Sequence, residues 1–173
     1  MRTRNCPIVA ALLPILLVVF VTPAIAESVN VPGGSVDAIQ DAVDLAGPGG
    51  TVFLGNGPHL MTETVLINAI GVTITGRSGA VIVGRNDTVG GFLPLFEITA
   101  VDVTLSALTA EASPQNVGDL SLAVADGAHK LDVVKCDVTG FVQLINAADS
   151  DDVIIQQNKF DAVLPLQAEA RDI

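Results

Sequence analysis

Apolar and polar positions alternate in short runs along most of this chain, and the runs resemble one another. In Val153-Ile154-Ile155-Gln156-Gln157-Asn158-Lys159-Phe160 the order is apolar, any, apolar, two of any kind, a corner residue, any, apolar. The same four positions recur 22 residues earlier as Leu131, Val133, Cys136 and Val138, and a further 28 earlier as Val103, Leu105, Leu108 and Ala110. A unit that alternates for one strand, turns and restarts at a spacing in the twenties marks a solenoid coil. Strands are predicted over 51–54, 64–67, 72–75, 80–83, 95–99, 103–108, 120–125, 131–136, 142–145 and 152–157, with Gly, Asn or Asp between them.

Before these strands the period is helical. Val29-Asn30-Val31 reads as a short extended entry and Pro32-Gly33-Gly34 as a turn. Val36, Ile39, Val43 and Ala46 fall on one helical face, while Asp37, Asp41 and Asp44 line the other. Ser35 is the N-cap, and Gly47-Pro48-Gly49-Gly50 ends the helix. The predicted element is a capping helix over 35–46, followed by coils over 51–166.

Many short alternating strands also suit a β-sandwich. Here the four repeat positions keep their mutual spacing in three copies while the connections vary in length, which is how insertions bulge from the turns of a solenoid. Coils stack at the inter-strand distance, so five of them make a rod about 24 Å long. The expected fold class is all-β, a right-handed parallel β-helix of about five coils.

Residues 1–26 stand apart. Arg2 and Arg4 precede an uncharged apolar run over 8–21, and Ala24-Ile25-Ala26 is a small-x-small cleavage site. The run carries Pro14 and stops at Thr22-Pro23, short of the roughly 20 residues that a spanning helix needs. The expectation is a cleaved signal peptide over 1–26, a secreted product, one domain over 27–173 and no stable membrane insertion.

The chain resembles the right-handed parallel β-helix, pectate-lyase-like superfamily. The resemblance rests on Ala38-Ile39-Gln40-Asp41-Ala42-Val43, on Gly49-Gly50-Thr51-Val52-Phe53-Leu54, and on Gly57-Pro58-His59, where His59 stands in place of the usual corner aromatic. Gly71-Val72-Thr73-Ile74-Thr75-Gly76 is similar to the family's second coil, and 153–160 to its generic coil. The similarity covers most of 29–160 and implies a fold that hosts lyases, hydrolases, esterases, epimerases and non-catalytic adhesins.

Composition narrows the chemistry. The formal net charge is −11, and with Arg2 and Arg4 removed the remainder is more negative by two. Such a chain is not expected to bind nucleic acid or an anionic membrane surface. Cys6 lies in the leader, so Cys136 has no partner for an intramolecular disulfide. Trp and Tyr are absent and Phe is sparse, a deficit for a protein that stacks sugar rings.

Leu108, Cys136 and Asn158 occupy one corner position in successive coils and are expected to form an inward structural column, with Asn158 satisfying backbone groups and Cys136 as a small filler. Asp149, Asp151 and Asp152 form the densest carboxylate cluster, around Ser150. It has the composition for an acid pair in glycoside hydrolysis or for calcium, and a solvated turn is its plainest reading. Polygalacturonases pair such aspartates with Gly-His-Gly and Arg-Ile-Lys, which this sequence lacks. A lyase of this fold needs an Arg or Lys base beside calcium-binding carboxylates. The cations outside the leader are Arg77, Arg85, Lys130, Lys135, Lys159 and Arg171. Lys135 and Lys159, with Asp137 and Asp161 two residues beyond each, suggest a ladder of surface ion pairs. Pectin methylesterase motifs are missing around 136–146, and His59 and His129 make only a remote metal pair.

These observations favour a secreted, non-catalytic β-helix scaffold or carbohydrate-associated module, with a polysaccharide lyase or hydrolase of uronate-containing glycans as the alternative. No cofactor is expected other than calcium at the aspartate cluster. The expected partners are polysaccharide and a second copy of the chain, meeting at a C-terminal coil that 162–166 is too short to cap; the alternative is that the chain is the front part of a longer β-helix.

Overall fold

The computed structural model describes residues 26–34, 36–148 and 150–162. Residues 1–25 of the leader, the Ser35 cap, Asp149, Arg171 and the last stretch of the predicted coils lie outside these residues. β1 (Ser28–Val31) and α1 (Val36–Ala46) open the fold. The first coil is β2 (Thr51–Leu54), β3 (Gly57–Met61) and β4 (Val65–Ile67), and the second is β5 (Thr73–Gly76), β6 (Ala80–Gly84) and β7 (Phe92–Ile98). β8 (Val103–Ser106), β9 (Thr109–Ala112) and β10 (Asp119–Ala125) make the third coil. β11 (His129–Val134), β12 (Asp137–Phe141) and β13 (Gln143–Asn146) make the fourth, and β14 (Asp151–Gln156) and β15 (Lys159–Ala162) begin the fifth.

Corresponding strands of successive coils pair in parallel and form three sheets, β1-β2-β5-β8-β11-β14, β3-β6-β9-β12-β15 and β4-β7-β10-β13. The fold is a parallel β-helix with one helix at its N-terminal end. Its register is that of the sequence repeat: Leu131 stands opposite both Val103 and Val153, and Val138 opposite both Ala110 and Phe160. Inside the tube the strand period therefore stacks like on like. Val52, Ile74, Leu105, Val133 and Ile155 form one column, all buried except Ile155 in the fifth coil, which is 47% exposed. Burying such aliphatic side chains contributes roughly 1.5–3 kcal/mol each.

The three predicted strands over 103–108, 131–136 and 152–157 each run through a corner. Ala107, Lys135 and Gln157 have φ of 51°, 59° and 56° and end the strand there, so that Leu108, Cys136 and Asn158 begin the next side. Of the second sheet only β6 falls in a predicted strand; β3, β9, β12 and β15 lie outside the predicted ranges, although the repeat places Ala110, Val138 and Phe160 as apolar positions beyond the corner. His59 is corrected accordingly. It is no corner residue but a buried, inward-facing member of β3, in one column with Ile82, Ala110, Val138 and Phe160.

The N-terminal end is sealed on all three sheets. β1 pairs with β2, the Leu60 amide donates to the Gly34 carbonyl at 3.0 Å, and the Gln40 side chain pairs with the Leu66 backbone. Beneath them Ile39, Val43 and Ala46 of α1 are buried, and Asp37, Asp41 and Asp44 face water. The helical period thus lays its apolar stripe across the open end of the tube.

Candidate functional site

The residues singled out from the sequence fall at two different corners. Asp151 and Asp152 begin β14, at the corner between the third sheet and the first; the Asp151 carboxylate lies 3.4 Å from His129 Nδ1, its register partner on β11. Asp152 belongs to a column of left-handed residues, Gly49, Gly71, Asp102, Lys130 and Asp152, with φ from 55° to 74°. Lys135 and Lys159 flank the opposite corner of the first sheet. From Asp152 to Gln157 the strand advances about 16 Å, far beyond the hydrogen-bond reach a proton-transferring pair needs. Asp151 and Asp152 are therefore not brought to Lys135 or Lys159, whereas Lys130 and Asp152 line one hollow of the first sheet, and Asp149 lies outside the described residues.

The proposed ladder of Lys135 and Lys159 is also corrected. These lysines are 24 apart, whereas the coil here is 22, so Lys135 stands opposite Gln157. Lys159 instead faces Asp137 on β12, and its Nζ donates to both carboxylate oxygens at 3.3 Å. Both side chains are well exposed, and such a pair contributes little. His59 and His129 are separated too, one inside the tube and one on its surface. Among the described residues no three His, Cys, Asp or Glu side chains converge as a metal site.

The corner column is inward and tightly made. Leu108 and Cys136 are buried, Asn158 Oδ1 accepts the Cys136 amide at 2.7 Å, and Asn158 Nδ2 donates to the Val133 carbonyl at 2.8 Å. Burial pushes the Cys136 thiol above its ordinary value, with backbone hydrogen bonding at Leu108 and Val134 opposing the shift. A thiol held protonated is a poor nucleophile.

The third corner carries the built feature of the surface. Residues 85–91 join β6 to β7 and residues 113–118 join β9 to β10, whereas Val142 alone joins β12 to β13. Asn86 locks the two long loops together. Its buried amide donates to the Gly91 and Asp119 carbonyls at 3.0 and 3.2 Å, and its Oδ1 accepts the Thr88 amide at 3.0 Å. Its own backbone amide donates to Asn116 Oδ1 at 2.7 Å, and its carbonyl accepts from Val117 and Gly118. Two long loops beside a one-residue turn leave a step, and there a hollow of about 420 Å³ opens, lined by Ser113, Asn116, Asp119, Leu120, Gly140 and Val142. Phe92, on the preceding coil, is the register partner of Asp119, and both are exposed. Of these residues the sequence singled out none. The available signal was the longer coil, 28 residues against 22, which locates an insertion without saying what it builds.

A second, shallow hollow of about 520 Å³ lies on the first sheet, lined by Asp102, Lys130, Asp132, Asp152, Val153 and Ile154.

Among solved structures the chain is similar to a PL6 family alginate lyase, AlyGC, at 14% identity and a TM-score of 0.36. The match covers 78% of this chain and 28% of that one, so the chain spans less than a third of that enzyme's length. No protein-family model and no curated protein matches the chain.

Proposed function

We propose that this chain is a secreted, non-catalytic β-helix module that associates with polysaccharide, a short member of the pectate-lyase-like superfamily. The observation that carries this reading is the separation of Asp151 and Asp152 from Lys135 and Lys159. Asp151 and Asp152 stand at one corner of the first sheet, Lys135 and Lys159 at the other, and two of the four are already engaged, with His129 and Asp137. A lyase or hydrolase must hold its acid, base and metal around one sugar. Incubation with uronate polymers, with and without calcium, tests this. The expected result is no release of reducing ends or unsaturated product above background. Calcium-dependent turnover would establish the polysaccharide lyase instead.

The C-terminal coil supports the self-association expected of this chain. Ile155 and Phe160 point along the inward columns, yet neither is fully covered, and Ile154 is exposed beside them. Strands β14 and β15 end their sheets with unpaired edges among the described residues. Light scattering of the leader-free chain should show a mass that rises with concentration, and a monomer throughout the range would refute the association.

A further inference from the structure

We infer that the fold closes the N-glycosylation sequon Asn86-Asp87-Thr88, so that a glycan on Asn86 and the locked pair of loops exclude each other. No other Asn-x-Ser or Asn-x-Thr triplet occurs in the chain. In sequence it reads as an open acceptor, a polar triplet between two strands of a chain expected to be secreted. The structure leaves Asp87, Thr88 and Val89 exposed but turns Asn86 inward, where it is 6% exposed.

The chemistry of the modification conflicts with this placement. A new bond joins the side-chain amide nitrogen to C1 of the first sugar, the bond from C1 to a lipid pyrophosphate breaks, and the nitrogen gives up one proton. Asparagine Nδ2 carries two hydrogens. Here both are used, toward the Gly91 and Asp119 carbonyls at 3.0 and 3.2 Å. Attachment of a sugar therefore leaves one carbonyl without its donor in a buried place. There is no room either. The Gly118 backbone packs so closely on the amide that an added Cβ would stand 2.4 Å from Nδ2 and 2.5 Å from the Thr88 carbonyl. A pyranose is far larger than a methyl group.

The amide cannot swing outward and keep the lock. Asn86 Oδ1 accepts the Thr88 amide, and the Asn86 backbone is held by Asn116, Val117 and Gly118. Its partners Asn116 and Asp119 lie 30 and 33 residues further along the chain. The lock thus forms only after the third coil has been made, and until then Asn86 is an open acceptor. A glycan placed in that interval stays on the chain and keeps the loops apart.

An oligosaccharyltransferase supplied with a lipid-linked oligosaccharide tests the closure on the folded leader-free chain and on a synthetic peptide of residues 82–92. The peptide should be modified and the folded chain should be slower by roughly a hundredfold, since only locally opened molecules present the amide. Chains made in a glycosylating secretory host are then sorted by the mass of an added glycan. Those that carry it should be cut by trypsin after Arg85, and bare chains should resist. Thr88→Ala removes the sequon but keeps Asn86 and the residue 88 amide that Oδ1 accepts, so all of its product should resist. Modification of the folded chain as fast as the peptide would overturn the inference. So would a glycan-bearing chain as resistant as the bare one, because the lock would then tolerate the sugar. Refusal of the peptide would overturn it too, by placing the barrier in the sequence and not in the fold.

Discussion

The Gln40 side chain occupies the place of a missing strand beside Leu66: its Oε1 accepts the Leu66 amide at 2.8 Å and its Nε2 donates to the Leu66 carbonyl at 3.1 Å. β4 is the first strand of its sheet, so without Gln40 both groups would face the helix unpaired. Gln40→Leu should therefore destabilise the fold by about 1–2 kcal/mol. Gln40→Glu should cost at least as much, since it replaces the donor to the Leu66 carbonyl and to Asp44 with a second carboxylate. Urea denaturation of the three proteins measures the order, and equal midpoints would show that water replaces the side chain at no cost.

Ile39 lies one residue away on the apolar face of α1 and is fully buried against the first coil. Ile39→Asp should cost about 3–5 kcal/mol by placing an unpaired charge at the sealed end. Leu45→Asp, on the exposed side of the same helix, should stay within about 0.5 kcal/mol of the parent. Similar melting temperatures for the two variants would mean that α1 is not a cap.

The Asn158 amide spans two coils. Asn158→Ala leaves the Cys136 amide and the Val133 carbonyl unpartnered and should cost about 1–3 kcal/mol. Hydrogen exchange gives the local test: the Cys136 amide should lose protection before amides of the second coil. Retained protection at Cys136 would show that another group supplies the hydrogen bond.

The thiol of Cys136 makes a prediction with a sign. Its folded value is raised by burial, so an unfolded thiol, at about 8.5, ionises before the folded one does. The resulting stability is complete below that pH and is lost as pH rises through the raised folded value. The melting temperature should fall between pH 8.5 and pH 10.5 more steeply for the parent than for Cys136→Ala. Parallel slopes, or fast native labelling by a bulky thiol reagent, would contradict the burial.

Asn86→Asp should separate the loops. It exchanges a donor shared by the Gly91 and Asp119 carbonyls for a charged acceptor, in a buried site. The expected loss is about 2–4 kcal/mol. Proteolysis should then cut within 85–91 and 113–118 while the strands stay intact. An uncleaved variant of parental stability would show that the lock is dispensable.

The order of coils was determined by the sequence alone. The apolar column through Val103, Leu131 and Val153 sets its own register, because a one-residue slip would turn every inward side chain to water. The first and third sheets carry enough β-branched and aliphatic residues to be legible. The second does not: Thr109-Ala110-Glu111-Ala112 and Asp137-Val138-Thr139-Gly140-Phe141 put few apolar residues inward and acidic, hydroxyl or glycine residues outward, so locally they look like turns. They are strands because neighbouring coils supply their hydrogen bonds, which no local pattern records. The corners show the same limit, since Lys135 and Gln157 accept left-handed backbone that their own residue types disfavour. The site was decided entirely by tertiary structure. A spacing of 28 against 22 announces an insertion, but only the fold brings Asn86 to Asn116 and Phe92 to Asp119, residues about 30 apart in the chain that stacking makes neighbours.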